Sequence, residues 1–205
     1  MRTLAPTLIL TLALATGVQA APTALDRAAA AVNGMEANFT HRFTAKGFKN
    51  AQVETGSVLF GSLPSMRWSY AKPEQKVFVF DGTNSWFYVP ADRQVTVSRI
   101  NEARKRELPF LLLGDPAARD KHFIVKQQTR NGAIVTTLQP RDKNATIRTV
   151  TVTIAPSTNL IQRIDYTDRD GNQTSFELSG YHRRPAAAGS FTFTPPSGVQ
   201  VIRAD

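Results

Sequence analysis

Met66-Arg67-Trp68-Ser69-Tyr70, Val77-Phe78-Val79-Phe80, Trp86-Phe87-Tyr88 and Val95-Thr96-Val97 are four short runs set between Gly56 and Val97. In an extended chain, side chains two apart share a face, so Met66, Trp68 and Tyr70 point one way and Arg67 and Ser69 the other. Turn signals separate the runs: Gly61-Ser62-Leu63-Pro64, Lys72-Pro73-Glu74, Asp81-Gly82-Thr83-Asn84 and Pro90-Ala91-Asp92. That spacing predicts one antiparallel meander rather than alternating strands and helices. With the strands paired in sequence, Met66, Trp68, Phe78, Phe80, Trp86, Tyr88, Val95 and Val97 are expected to share one face. Both tryptophans belong to it, and a concave surface of this kind is suited to holding something greasy.

Upstream, Thr23 and Asp26 form a capping pair, and Ala28 to Ala31 are strong helix formers. With Leu25, Val32 and Phe39 as an apolar stripe, a helix is expected from Thr23 to about Phe39. Strands are expected at 39–43 and 53–60. Downstream, the charged stretch Glu102 to Glu107 leads into Leu108-Pro109-Phe110-Leu111-Leu112-Leu113. Proline suits the first turn of a helix, so a short helix is expected to begin near Leu108 and to stop at Gly114 and Pro116. Its apolar side chains either plug the sheet permanently or form a movable lid over it. Strands resume at 123–128, 134–138, 147–154, 160–166 and 174–181, with a hairpin turn at Asp168 to Asn172. Phe191 and Phe193 come last, before Pro195-Pro196.

The chain has 205 residues, room for a single domain with a substantial core. Residues 1–20 read as a cleaved signal peptide: Met1-Arg2, then the apolar run Leu8 to Leu14, then Val18-Gln19-Ala20 ahead of Ala21. The domain is then 21–205, exported to the periplasm. There is no cysteine, which excludes disulfides and a lipid-modified cysteine at the cleavage point. Loss of Arg2 lowers the formal charge of +9 by one, leaving a basic surface that favours anionic partners. Export argues against nucleic acid.

Little in the sequence asks for catalysis. His41, His122 and His182 lie on separate segments without metal-ligand spacing. There is no thiol nucleophile, no Gly-x-Ser-x-Gly elbow and no glycine-rich phosphate loop. Asp168 and Asp170 flank a turn glycine, which is turn chemistry. No catalytic residue, metal ligand or cofactor is assigned.

Three stretches, taken in order, carry a resemblance. These are Met66-Arg67-Trp68-x-Tyr70 with Pro73, Asp81-Gly82-x-x-x-Trp86-x-Tyr88-x-Pro90, and Phe191-x-Phe193-x-Pro195-Pro196-x-Gly198-Val199. Asp168-x-x-Gly171-Asn172 stands at the expected earlier turn and Leu-Pro-Phe-Leu at the lid position. On these residues the chain resembles the outer-membrane lipoprotein carrier (LolA) family over nearly its whole length. The resemblance implies a mainly β fold with helices, an unclosed antiparallel β-barrel (a half-barrel) covered on its concave face by an α-helical lid. It also implies a soluble, monomeric carrier that takes acylated lipoproteins from an inner-membrane ABC-type releasing complex to an outer-membrane receptor. Position by position, it implies a lipid-binding cavity of Met66, Trp68, Phe78, Trp86, Tyr88, Phe110 and Leu111, under a lid of Leu108, Phe110, Leu111 and Leu112. One position departs: where the family often has a basic, lid-bonding residue before a proline, this chain has Ser62, with Pro64 displaced by one. Arg67, or one of residues 104–106, is left as the candidate latch.

Other readings fit the same residues. A related half-barrel could bind a glycolipid or sense envelope stress, and a closed, dry barrel would make a structural module for anionic membrane surfaces. A lipid esterase would need a convergent acid–base pair.

Overall fold

The computed structural model describes residues 21–101, 105 and 108–204, with backbone only for Pro109 and Leu112. The expected signal peptide lies outside the described residues. Helix α1 (Ala24–Val32) starts with a complete capping box, the Thr23 hydroxyl accepting from the Asp26 amide while the Asp26 carboxylate accepts from the Thr23 amide. It is shorter than expected. Gly34 adopts φ +71°, a left-handed conformation that ends the helical turn, and Phe39 belongs to the strand that follows.

That strand is β1 (Met35–Thr44), followed by β2 (Gln52–Phe60), β3 (Met66–Lys72), β4 (Lys76–Phe80), β5 (Asn84–Val89) and β6 (Gln94–Arg99). Short helices α2 (Pro109–Leu112) and α3 (Pro116–His122) precede the second half of the sheet. The second half of the sheet is β7 (Phe123–Arg130), β8 (Ala133–Pro140), β9 (Ile147–Ile154), β10 (Ile161–Asp168) and β11 (Gln173–Arg183). Finally β12 (Gln200–Ala204) pairs in parallel with β6.

All twelve strands form one sheet, in the order β12-β6-β5-β4-β3-β2-β1-β11-β10-β9-β8-β7. Its two edges, β12 and β7, do not pair with each other, so the sheet is an unclosed half-barrel, antiparallel except at β12. The core lies on its concave side. Ala24, Leu25, Ala28 and Val32 of α1 and Phe110 and Leu111 of α2 are buried there in one cluster with Met66, Trp68, Val152 and Ile164. Burial of this apolar surface, at roughly 25 cal/mol per Å², is what holds the helices against the strands.

Candidate functional site

Register decides which aromatic side chains meet. Residues directly opposite each other on paired strands share a face. Met66 stands opposite Phe80 and Trp68 opposite Phe78, so these four belong to the concave side. Across the next turn Phe80 stands opposite Ser85 and Phe78 opposite Phe87. The pairing there joins even to odd numbers, and Phe87 shares the concave side with Phe78, the two rings stacked 4.3 Å apart.

Trp86 and Tyr88 therefore lie on the opposite, convex side, a correction to the expected lining. There both rings pack against Phe193, at 5.8 and 5.6 Å. The Trp86 indole donates to Asp81 Oδ2 at 2.9 Å. Burial pushes the Asp81 carboxyl up, but this bond and those from Asn84 and Thr83 outweigh it and hold it below its usual range. Val95 and Val97 pair with Tyr88 and Trp86 and share the convex side.

A hollow of about 200 Å³ opens on the concave side. Its sheet wall is Trp68, Tyr70, Phe78 and Phe80 from β3 and β4, with His41, Tyr166 and Phe176 from β1, β10 and β11. Leu108 and Phe110 close it from above. The Phe110 ring sits 4.9 Å from Trp68 and 5.0 Å from Phe176, and Phe39 is 5.1 Å from Trp68. Such aromatic pairs are worth about 0.5–1.5 kcal/mol each beyond their buried area. Met66 and Leu111 are buried in the adjoining core rather than in the wall. Larger grooves of about 730 and 540 Å³ open elsewhere; Phe39 and Tyr70 are the aromatic residues of the first, the second has none, and no described residue of α2 lines either.

Backbone chemistry makes α2 a weakly anchored cover. It has four residues, Pro109 at its first position, and an N-cap residue, Leu108, that supplies no side-chain hydrogen bond. One turn cannot hold itself together in water, so the cover depends on what its side chains touch: Phe110 and Leu111 are buried, Leu108 half-buried. The Leu112 side chain lies outside what is described. Behind it, α3 is properly capped, Asp115 accepting from the Ala118 amide at 3.0 Å. As expected, α2 ends before Gly114 and Pro116; Pro116 is also the first residue of α3, a helix not expected from the sequence.

Arg67 does not reach the cover. It alternates with Met66 and Trp68 and borders the convex groove beside Arg184 and Glu36. Residues 104 and 106 lie outside the described residues, and Lys105 pairs with Asp115 at 3.1 Å. The loop after β2 meets the cover through Leu63 instead: a β-carbon placed on Gly114 would lie 2.4 Å from Leu63 Cβ. An apolar contact of the backbone stands where a charged latch was expected.

One charged cluster reaches the hollow. His41 stacks on Phe176 with ring centres 4.3 Å apart and bonds through Nδ1 to Glu54 Oε2 at 3.0 Å. Glu54 also pairs with Lys76, whose ammonium lies 5.2 Å from the Tyr70 ring centre. Burial lowers the His41 pKa, against the opposing pull of Glu54. Burial likewise raises the phenols of Tyr70 and Tyr166, so both remain neutral hydroxyls. Sequence reasoning missed His41, Tyr166 and Phe176, because nothing local signals that β1, β10 and β11 face β3 and β4. Among the described residues no three histidine, aspartate or glutamate side chains converge on a metal position.

Residues 30–194 match the family described as "Outer membrane lipoprotein carrier protein LolA". Among relatives, an outer-membrane lipoprotein carrier protein of Xanthomonas axonopodis pv. citri is 30% identical over 87% of this chain and 86% of its own length. One from Photobacterium profundum is 29% identical over 83% and 82%. In fold, the chain is similar to a conserved protein of Thermus thermophilus, with a TM-score of 0.55, 14% identity, and coverage of 88% of this chain and 97% of that one. With its half-barrel, its covered aromatic hollow and a match across most of its length, the chain belongs to the outer-membrane lipoprotein carrier (LolA) family.

Proposed function

We propose that this protein is a soluble periplasmic carrier that shields the acyl chains of lipoproteins on its concave face. It would accept them from an inner-membrane ABC-type complex and yield them to an outer-membrane receptor, working as a monomer and without a cofactor. The observation that carries this reading is the aromatic hollow under a one-turn helix, in a sheet that does not close.

Magnitudes shape the mechanism. Each buried methylene contributes about 0.8 kcal/mol, so one palmitoyl chain gains roughly 12 kcal/mol. Two or three such chains would pass the practical ceiling of about 20 kcal/mol for non-covalent binding, and a carrier must let go. At about 200 Å³ the hollow falls short of the roughly 300–1,000 Å³ common for ligand pockets. An acyl chain therefore takes the place of Phe110 and Leu108 rather than filling vacant space. Only the difference between the two sets of contacts remains as affinity, and transfer runs toward whichever partner holds the chain more tightly.

Native mass spectrometry of the protein taken from the periplasm tests this. An acylated polypeptide bound in a one-to-one complex is the expected result; protein that carries no acylated species, in cells making lipoproteins, overturns it.

A further inference from the structure

The two tryptophans of this chain are treated differently. Trp86 donates its indole hydrogen to Asp81 at 2.9 Å. Trp68 Nε1 is buried and has no hydrogen-bond partner among the described residues. Rings of Phe39, Phe60, Phe110 and Phe176 stand around it, at centroid distances of 4.9 to 6.2 Å, and ring carbons carry no lone pair. Arg119 Nη1 and Thr136 Oγ1 are also buried without a partner among the described residues, but of the three only Trp68 lines the aromatic hollow.

A buried donor left without a partner is disfavoured by about 1–3 kcal/mol. A phenylalanine would fill much of the same space without that penalty. Hydrocarbon cannot relieve it, and a free carboxylate would bring an unpaired charge into an apolar site. A neutral carbonyl has the required lone pairs and no charge. Resting on the carrier reading above, we propose that Trp68 is a specificity-determining residue whose indole N–H donates to the ester or amide carbonyl at the head of a bound acyl chain. Phe110, which covers the Trp68 ring, gives way as that carbonyl arrives. The hollow thereby recognises acylated molecules rather than grease in general.

The test uses the whole mature protein with methyl palmitate, N-methylpalmitamide and the carbonyl-free chain heptadecane, each delivered from cyclodextrin. In ¹⁵N-labelled protein the Trp68 indole proton, assigned with Trp86→Phe, moves downfield with a carbonyl-bearing chain and not with heptadecane. Replacing Trp68 by benzothienylalanine, which exchanges the N–H for sulfur at nearly constant shape, weakens carbonyl-chain binding about five- to tenfold. It leaves heptadecane binding unchanged. A response to the ester alone or to the amide alone assigns the carbonyl to that linkage. An unchanged preference in the benzothienylalanine protein, or an unmoved indole proton while methyl palmitate is bound, overturns the proposal. If neither carbonyl chains nor heptadecane bind, the carrier reading itself falls and takes this assignment with it.

Discussion

Arg119 on α3 donates from Nη2 to Asp26 Oδ1 on α1 at 2.8 Å, with the arginine side chain only 1% exposed. This ion pair joins the helix behind the cover to the helix that fills the rest of the concave face. Removing one partner of a buried pair costs about 3–5 kcal/mol. Asp26 retains 24% of its exposure, which brings the expected loss for Asp26→Asn to about 2 kcal/mol. Thermal unfolding should register this as a fall of about 5 °C. The Asp26→Asn, Arg119→Met double variant should recover part of the loss, because it removes a buried guanidinium that would keep only Asp120, through Nε at 3.4 Å. Burial pushes the Asp26 carboxyl up, but bonds from Thr23 and Arg119 outweigh it and the net pKa lies below the ordinary 3.8. A depressed folded value means the contribution is complete above about pH 4 and disappears as pH falls through that folded value. Acid titration of stability in Asp26→Asn should lack this component.

Trp68→Ala should weaken uptake of a fluorescent acyl probe about tenfold or more, since it removes the centre of the hollow's wall. Trp86→Ala should leave uptake within about twofold, because Trp86 lies on the other side of the sheet, while lowering the denaturation midpoint. Thr151→Ala serves as the neutral comparison. Equal uptake by Trp68→Ala and Thr151→Ala would contradict a lined cavity.

At Gly114 an added methyl meets Leu63 Cβ at 2.4 Å and Leu63 O at 2.8 Å. Gly114→Ala should push the segment after α2 away from the β2–β3 loop at a cost of about 1–3 kcal/mol. Hydrogen exchange should then quicken at residues 110–114 with β9 and β10 unaffected. Uniform exchange across the chain would mean that the Leu63 contact does not secure the cover.

His41 predicts a pH dependence near neutrality. Burial is the largest influence and lowers its pKa from the ordinary 6.5, against the attraction of Glu54 and alongside the repulsion of Lys76. The unfolded chain then takes up the proton first. The contribution to stability is full above about pH 6.5 and declines as pH drops toward the lower folded value. His41→Phe keeps the stack on Phe176 and should flatten that slope, measured by urea unfolding at stepped pH.

How far residues alone lead is visible at the turn from Asp81 to Asn84. The strands themselves were legible: in β9, Thr149, Thr151 and Thr153 alternate with Val150, Val152 and Ile154 as cleanly in space as in sequence. The capping box at Thr23 and a short helix from Leu108 were legible too. Which face each strand presents was less so, because a single-residue change in register turns every side chain over. The pairing of Phe80 with Ser85 sent Trp86 and Tyr88 outward and brought Phe87 in. Arg67 could have been placed correctly, since it sits between two inward residues. Strand β12 gave little sign of itself. It is short, follows two prolines, and pairs with a strand about a hundred residues earlier.

Phe193 behind Trp86 and Tyr88, and Phe191 against Gly61, give the outer surface of the sheet a buttress supplied by the C-terminal segment. The wall is thus braced from outside, by contacts that do not involve the lining of the hollow. On the carrier reading, exchange of contents would ask only a single helical turn to shift against a frame of twelve strands.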